Sequence, residues 1–348
     1  MAKIHTRMGD GSLVEVSEGE LKKDLEEGTN DAAERGEIPP LSQDELSYLF
    51  DIFSAPYKFI SIKGGSEVVL TYDCPTLKLT RTGVLVNRVQ GLQLYEKVLG
   101  ADTTELGHTD YCFKAVKPII PYEQAELVQA LLIITIPILY GAMPSLGAYT
   151  QPDGPFPNPL ELLPQGKVTE AKEAFEGMVE YSVNDIVSVA SAMYESGADG
   201  INIDTAGALG DPDFLASLRA IEILKREYPN ICIEIGMAGE FVLGTHGGLT
   251  YDGVRLAGLY PHKQVEVAEK AGATIFGPAI NTNTRKTCAW NVARATTFVK
   301  ACVQNANIPV HANVGMGVGG VPSVDQPPFD AVSRASAAMV EITRLDGL

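Results

Sequence analysis

"SGADGINIDT", Ser196 to Thr205, sets the reading of the chain. A helical pattern ends at Gly197, and a strand opens with Asp199, Gly200 and Ile201. Within the strand, Ile201 and Ile203 fall on one face, with Asn202 and Asp204 on the other, because side chains alternate along an extended backbone. Two later stretches repeat the alternation. In "CIEIG" (232–236), Ile233 and Ile235 oppose Cys232 and Glu234; in "PVHANVG" (309–315), Val310, Ala312 and Val314 oppose His311 and Asn313.

Working outward, strand and helix patterns alternate. Strands are expected at 117–120, 136–140, 200–205, 232–236, 274–277 and 309–314, with helices at 170–196, 213–227, 263–271 and 285–304 between them. A further helix is expected over 329–345, where Val332, Ala335, Met339 and Ile342 recur at helical spacing. Such alternation implies an α/β fold with a parallel sheet and crossover helices. An open doubly wound sheet and a TIM (β/α)8 barrel both satisfy it. Parallel strands covered on both faces are usually continuous apolar runs. Here one face is apolar and the other polar, so the barrel, with a polar pocket at its centre, is favoured. Loops after the strands then build the site.

The N-terminal part differs. The first fifty residues hold 12 Asp/Glu against 5 Lys/Arg, and Ser42 followed by Asp44 and Glu45 suits a capped helix over 42–53. Residues 68–88 alternate around turn residues and read as antiparallel strands. Residues 1–100 are therefore expected to be an acidic α+β extension, and 101–348 the barrel portion.

The 348 residues carry 27 Lys+Arg and 44 Asp+Glu, a net charge of −17. That field repels a polyanion, so nucleic acid is not an expected partner. The five cysteines (Cys74, Cys112, Cys232, Cys288, Cys302) include no C-x-x-C and read as reduced thiols, which fits the cytoplasm. The N-terminus lacks the apolar core of a signal peptide. Residues 130–149 carry no charge over a bilayer-spanning length, but Pro137, Gly141, Pro144 and Gly147 interrupt them; a buried strand and loop explain them better than a membrane span.

"GMGVGG" (315–320) follows a strand and satisfies G-x-G-x-x-G, but Pro322, Pro327 and Pro328 deny it the helix a dinucleotide site needs. Serine-hydrolase, zinc-protease and P-loop signatures are absent. His246, His262 and His311 have no spacing that selects a metal geometry, and no metal is expected. Glu240, in a small-residue loop after a strand, and Asp204, at a strand end, are the candidate catalytic or cation-binding carboxylates. In "GPAINTNTRKTCAWN", Asn281 and Asn283 supply more polar groups than one helix cap requires.

The strings "RMGDG", "GADTTELGHTDYCFKAVKP", "LYGAMP", "PDGPFPNP", "GMAGEFVLG", "AGLYPH", "IFGPAINTNT" and "MGVGGVP" together resemble the dimethylamine:corrinoid methyltransferases, pyrrolysine-containing enzymes of methanogens. The resemblance runs through essentially the whole chain. It implies a barrel enzyme, homo-oligomeric at full length, that moves a methyl group from dimethylamine to the cobalt(I) of a cognate corrinoid protein and releases methylamine. No cofactor is then bound directly, because the partner carries the corrinoid. Glu240 and Asp204 become the expected acid–base and charge-compensating groups, and Asn281, Asn283, His246 and His311 the expected orienting groups. In the family, pyrrolysine follows a helix and an Asp-Gly-apolar strand start, which "LDGL" (345–348) matches, so pyrrolysine is expected directly after Leu348. On that expectation this chain is an amber-terminated form lacking the last strands. The alternative activity is none: a fragment that only binds the corrinoid protein. The mass of the native protein separates the two.

Overall fold

The polar–apolar alternation of 200–206 and 232–237 becomes two adjacent parallel strands in a computed structural model, which describes residues 3–66, 68–72, 76–79, 84–87, 104–108, 116–120, 146–152, 154–195, 200–324 and 327–348. The main elements in chain order begin with β1 (Ile4–Arg7), β2 (Leu13–Val16), α1 (Glu18–Gly36) and α2 (Gln43–Ser54). Five short strands follow: β3 (Val69–Tyr72), β4 (Thr76–Leu79), β5 (Val84–Asn87), β6 (Thr104–His108) and β7 (Val116–Ile120). Next come α3 (Val168–Glu195), β8 (Gly200–Ala206), α4 (Asp211–Glu227), β9 (Cys232–Met237), β10 (Thr250–Tyr251) and β11 (Val254–Arg255). The series closes with α5 (Pro261–Ala271), β12 (Ile275–Gly277), α6 (Cys288–Asn305) and α7 (Phe329–Ala338). The chain divides into two units. One comprises Met1–Thr71, Thr76–Glu105 and Pro278–Leu348; the other comprises Tyr72–Pro75 and Leu106–Gly277.

In the second unit the sheet runs β12-β9-β8-β7-β6. Strands β8, β9 and β12 are parallel, with α4 and α5 as their crossovers, as the alternation of patterns requires. Ile201, Ile203, Ile233, Ile235 and Phe276 are fully buried; each such side chain stabilises the fold by roughly 1.5–3 kcal/mol relative to exposure. The expected strand at 117–120 is present as β7, but it pairs antiparallel with β8, Val116 opposite Ile203 and Ile119 opposite Gly200. This corrects the all-parallel expectation. An extended segment offers the same donors and acceptors in either direction, so residue pattern alone does not choose between them. No closed barrel forms among the described residues; what they show is a mixed α/β fold. The strand expected at 136–140 lies outside the described residues, as does most of the apolar stretch at 130–149. No helix among the described residues is long and apolar enough to cross a membrane.

In the first unit, α1 and α2 each open with a reciprocal capping box, Ser17 with Glu20 and Ser42 with Glu45. Helix α1 packs on α6. The two meet so closely that a Cβ on Gly28 would lie 2.2 Å from the Trp290 carbonyl oxygen. Thr29 and Thr297 share a hydroxyl hydrogen bond of 2.8 Å across the buried contact, and Arg294 Nε donates to Asp31 Oδ2 at 2.6 Å. Buried Arg334 donates to the carbonyls of Ile52, Ala55 and Tyr57, satisfying the end of α2.

Several boundaries move. Helix α6 begins at Cys288 rather than 285, because Thr287 is the N-cap and accepts from Trp290 N at 3.2 Å. The helix expected over 329–345 is α-helical only to Ala338. It continues as a π-turn over Met339–Thr343, ending at Arg344 in the left-handed region. The strand expected over 309–314 contracts to a parallel bridge between His311 and Gly347. Around it, Asp346 N donates to Val310 O at 3.0 Å and Ala312 N to Gly347 O at 3.0 Å. The residues of "LDGL" therefore do enter strand pairing. Among the described residues, Cys232, Cys288 and Cys302 form no disulfide.

Candidate functional site

One face of the β8–β9 pair carries the polar residues. Register pairs Asn202 with Glu234 and Ile203 with Ile235. Asn202 and Glu234 are 5% and 3% exposed, so this polar face is enclosed rather than solvated. A buried polar side chain normally persists only with hydrogen-bonding partners, which makes the enclosed stripe the most site-like feature of the sheet. The alternation of "CIEIG" signals Glu234, but a mid-strand carboxylate is not marked by a loop as Glu240 is, and neither it nor Asn202 stood out.

Asp204 sits one turn of the pleat further along. The pairing of β8 with β9 slips between Ile203 and Ala206, and Thr205 there adopts φ 56°. A β-branched residue in the left-handed region is strained, and bulges of this kind re-aim side chains at strand ends. Here the bulge turns Thr205 N onto the Asp204 carboxylate at 2.7 Å, while Thr205 Oγ1 donates to Asp204 O at 2.7 Å. Asp204 is half-buried.

Glu240 lies in the loop after β9 and is buried, at 8% exposure. Beyond it Phe241 is exposed and its ring packs against that of Tyr260, 5.8 Å between centroids. The loop is held from below by α4. Asp211, fully buried, accepts from His246 N at 3.0 Å and from Gly247 N at 2.8 Å. The second carboxylate of that helix turn, Asp213, accepts from Ala208 N at 2.9 Å in the loop after β8. Burial pushes the Asp213 carboxyl up to about 6, against the lowering effect of the backbone N–H groups of Ala208, Leu209 and Gly207. "GDPDF" thus ties down both loops that follow the candidate strands.

His246 is occupied by this scaffold. Its Nδ1 accepts from Gly248 N at 3.2 Å, which leaves the proton on Nε2, 3.1 Å from Glu176 Oε1. His262, at the start of α5, has its imidazole pKa lowered by burial, then by Lys263. Among the described residues no group of three or more His, Cys, Asp or Glu side chains is arranged to hold a metal ion.

Asn281, Asn283 and His311 belong to the other unit. Asn283 is exposed, and its side chain is committed to a turn: Oδ1 accepts from Arg285 N at 2.9 Å. Its backbone is held in turn by Asn291, whose Oδ1 accepts from Asn283 N at 2.7 Å. Asn281 is exposed and bridges Val318 in the glycine loop, where Thr282 N donates to Gly317 O at 2.7 Å. That loop turns through positive φ at Met316, Gly317, Gly319 and Gly320, and no helix starts from it. It lacks the helix N-terminus that would face a pyrophosphate.

The site geometry therefore offers a charged and hydrogen-bonding interior without a nucleotide cradle. No solved structure matches the chain. A family model described as dimethylamine methyltransferase matches residues 2–348, taking in every element described above and every string that suggested the resemblance. On a match of that extent, the chain belongs to the dimethylamine methyltransferase family and is an enzyme of that class.

Proposed function

We propose that the protein transfers a methyl group from dimethylamine to the cobalt(I) of a corrinoid held by a separate cognate protein, releasing methylamine, in methane formation from methylamines. The family match over residues 2–348 carries this reading. The chemistry explains what the site has to do. The C–N bond of an amine breaks only when nitrogen leaves without forming an unstable anion, so the amine must be made cationic while a strong nucleophile reaches the methyl carbon. Pyrrolysine, which the family resemblance implies, would supply a ring imine to which the amine adds.

This chain's own residues have three tasks: to bind the amine, to move protons during addition, and to balance the positive nitrogen. We assign proton transfer to Glu240, whose burial raises the strength of any interaction it makes with a cation, and charge compensation to Asp204. Orienting roles for Asn281, Asn283, His246 and His311 are part of the same proposal. The hydrogen bonds of Asn283 and His246 make loop support their first task. A (β/α)8 barrel, with residues 1–100 as its extension, is the architecture this reading expects; the parallel run of β8, β9 and β12 with α4 and α5 between supports it. A homo-oligomer in the cytoplasm completes it.

The experiment is to supply full-length protein with cob(I)alamin and a panel of methylated amines and follow methylcobalamin by absorbance. Dimethylamine is expected to methylate cobalt fastest. Methylation from a different amine in preference, or from none, overturns the reading.

A further inference from the structure

We propose that Asn202, Asp204 and the bare backbone of Gly236 form a subsite for a protonated secondary amine, a small cation with two N–H donors. The inference rests on the functional reading above and adds to it where the substrate nitrogen is held. The motivating observation is a carbonyl oxygen left over. Asn202 Oδ1 is buried and has no hydrogen-bond partner among the described residues, in a side chain only 5% exposed. A buried acceptor of this kind is costly to leave unmade and is ready for a donor that the protein does not supply.

A second, geometric observation shows where it points. A Cβ built on Gly236 would lie 3.3 Å from Asp204 Oδ1 and 3.7 Å from Asn202 Oδ1. Two oxygens from β8 thus converge beside the bare Cα of Gly236 on β9. The next atom, Asp204 Cα, is 3.9 Å away. The two oxygens, one from a carboxylate and one from an amide, lie about one point, close enough together to serve a single small donor. A dimethylammonium ion has two N–H bonds to direct at two acceptors and two methyl groups that need none. Asp204 balances its charge and Asn202 fixes its orientation. A tetramethylammonium ion has no N–H and gains nothing from either oxygen.

Gly236 gives a direct test: its φ is not in the left-handed region, and an alanine Cβ there crowds Asp204 Oδ1 at 3.3 Å and touches Asn202 Oδ1 at 3.7 Å, so it disturbs both oxygens while the backbone is unstrained. Wild type, Gly236→Ala and Asn202→Leu are titrated calorimetrically with dimethylammonium chloride and, separately, tetramethylammonium chloride, with a thermal melt of each variant. Wild type is expected to bind dimethylammonium and not tetramethylammonium. Each variant is expected to bind at least about tenfold more weakly, the worth of one hydrogen bond to a charged group, with a cooperative melt retained. Equal binding by wild type and either folded variant, equal binding of the two cations, or no binding by wild type overturns the subsite; in the last case Asn202 holds an enclosed water. Should Gly236→Ala methylate cobalt from dimethylamine at an unchanged KM, the subsite fails while the functional reading stands. If no amine methylates cobalt with wild type, the functional reading itself fails, and the calorimetry still decides the subsite.

Discussion

Asp211 Oδ2 accepts from Gly247 N at 2.8 Å, so a carboxylate in the first turn of α4 fixes the loop that carries Glu240 away from β9. The same carboxylate takes His246 N on its other oxygen. Removing it strands two backbone donors. Asp211→Ala is expected to destabilise the protein by about 2–4 kcal/mol, and Asp211→Asn, which keeps one acceptor, by less. The midpoint of urea unfolding gives the size, and hydrogen exchange at His246 and Gly247 should accelerate in both variants. Unchanged exchange at those two amides would show that something else holds the loop.

Asp213 makes stability depend on pH in a defined direction. Its folded pKa, about 6, lies above the ordinary value of 3.8, so the fold holds the proton more tightly than the unfolded chain does. Below about pH 3 both states are protonated and there is no penalty; as pH rises through 3.8 toward 6 the unfolded state ionises first, and the native state loses up to about 3 kcal/mol relative to it. Asp213→Asn removes that slope. The Tm of the variant minus that of wild type should therefore be greater at pH 7.5 than at pH 4.5. A gap that is constant or shrinks with pH contradicts the buried, proton-retaining carboxyl.

The α1–α6 contact predicts opposite outcomes for two glycines of one helix. At Gly28 an added Cβ lies 2.2 Å from the Trp290 carbonyl, so Gly28→Ala forces the helices apart and should cost about 1–3 kcal/mol or more. At Gly19 nothing lies within 4 Å, and Gly19→Ala should be neutral or stabilise by up to about 1 kcal/mol through helix propensity. Paired chemical denaturation curves measure both. Similar losses at the two positions would mean that backbone freedom, not packing, governs them.

If Glu240 moves the proton during amine addition, Glu240→Gln keeps its shape and loses that function. The full-length variant should methylate cobalt at least about a hundredfold more slowly, with its Tm little changed. An unchanged rate would return Glu240 to the role of a loop residue.

Much of this protein was legible as sequence because its local rules are local. The alternation in "INIDT" and "CIEIG" identified two strands with one polar face, and Ser42 with Glu45 marked a capped helix, since each signal depends on residues within a turn or a pleat of one another. Family membership was legible too, from long strings rather than from any single motif. Tertiary structure decided the rest. β7 runs antiparallel to β8, Asp211 and Asp213 secure loops as well as a helix start, and Asn283 Oδ1 and His246 Nδ1 accept backbone N–H groups. The convergence of Asn202 and Asp204 over Gly236 joins residues more than thirty positions apart. Strand direction, burial and the partner of a side-chain oxygen are set by what a distant segment brings alongside, and that information exists only once the chain has folded.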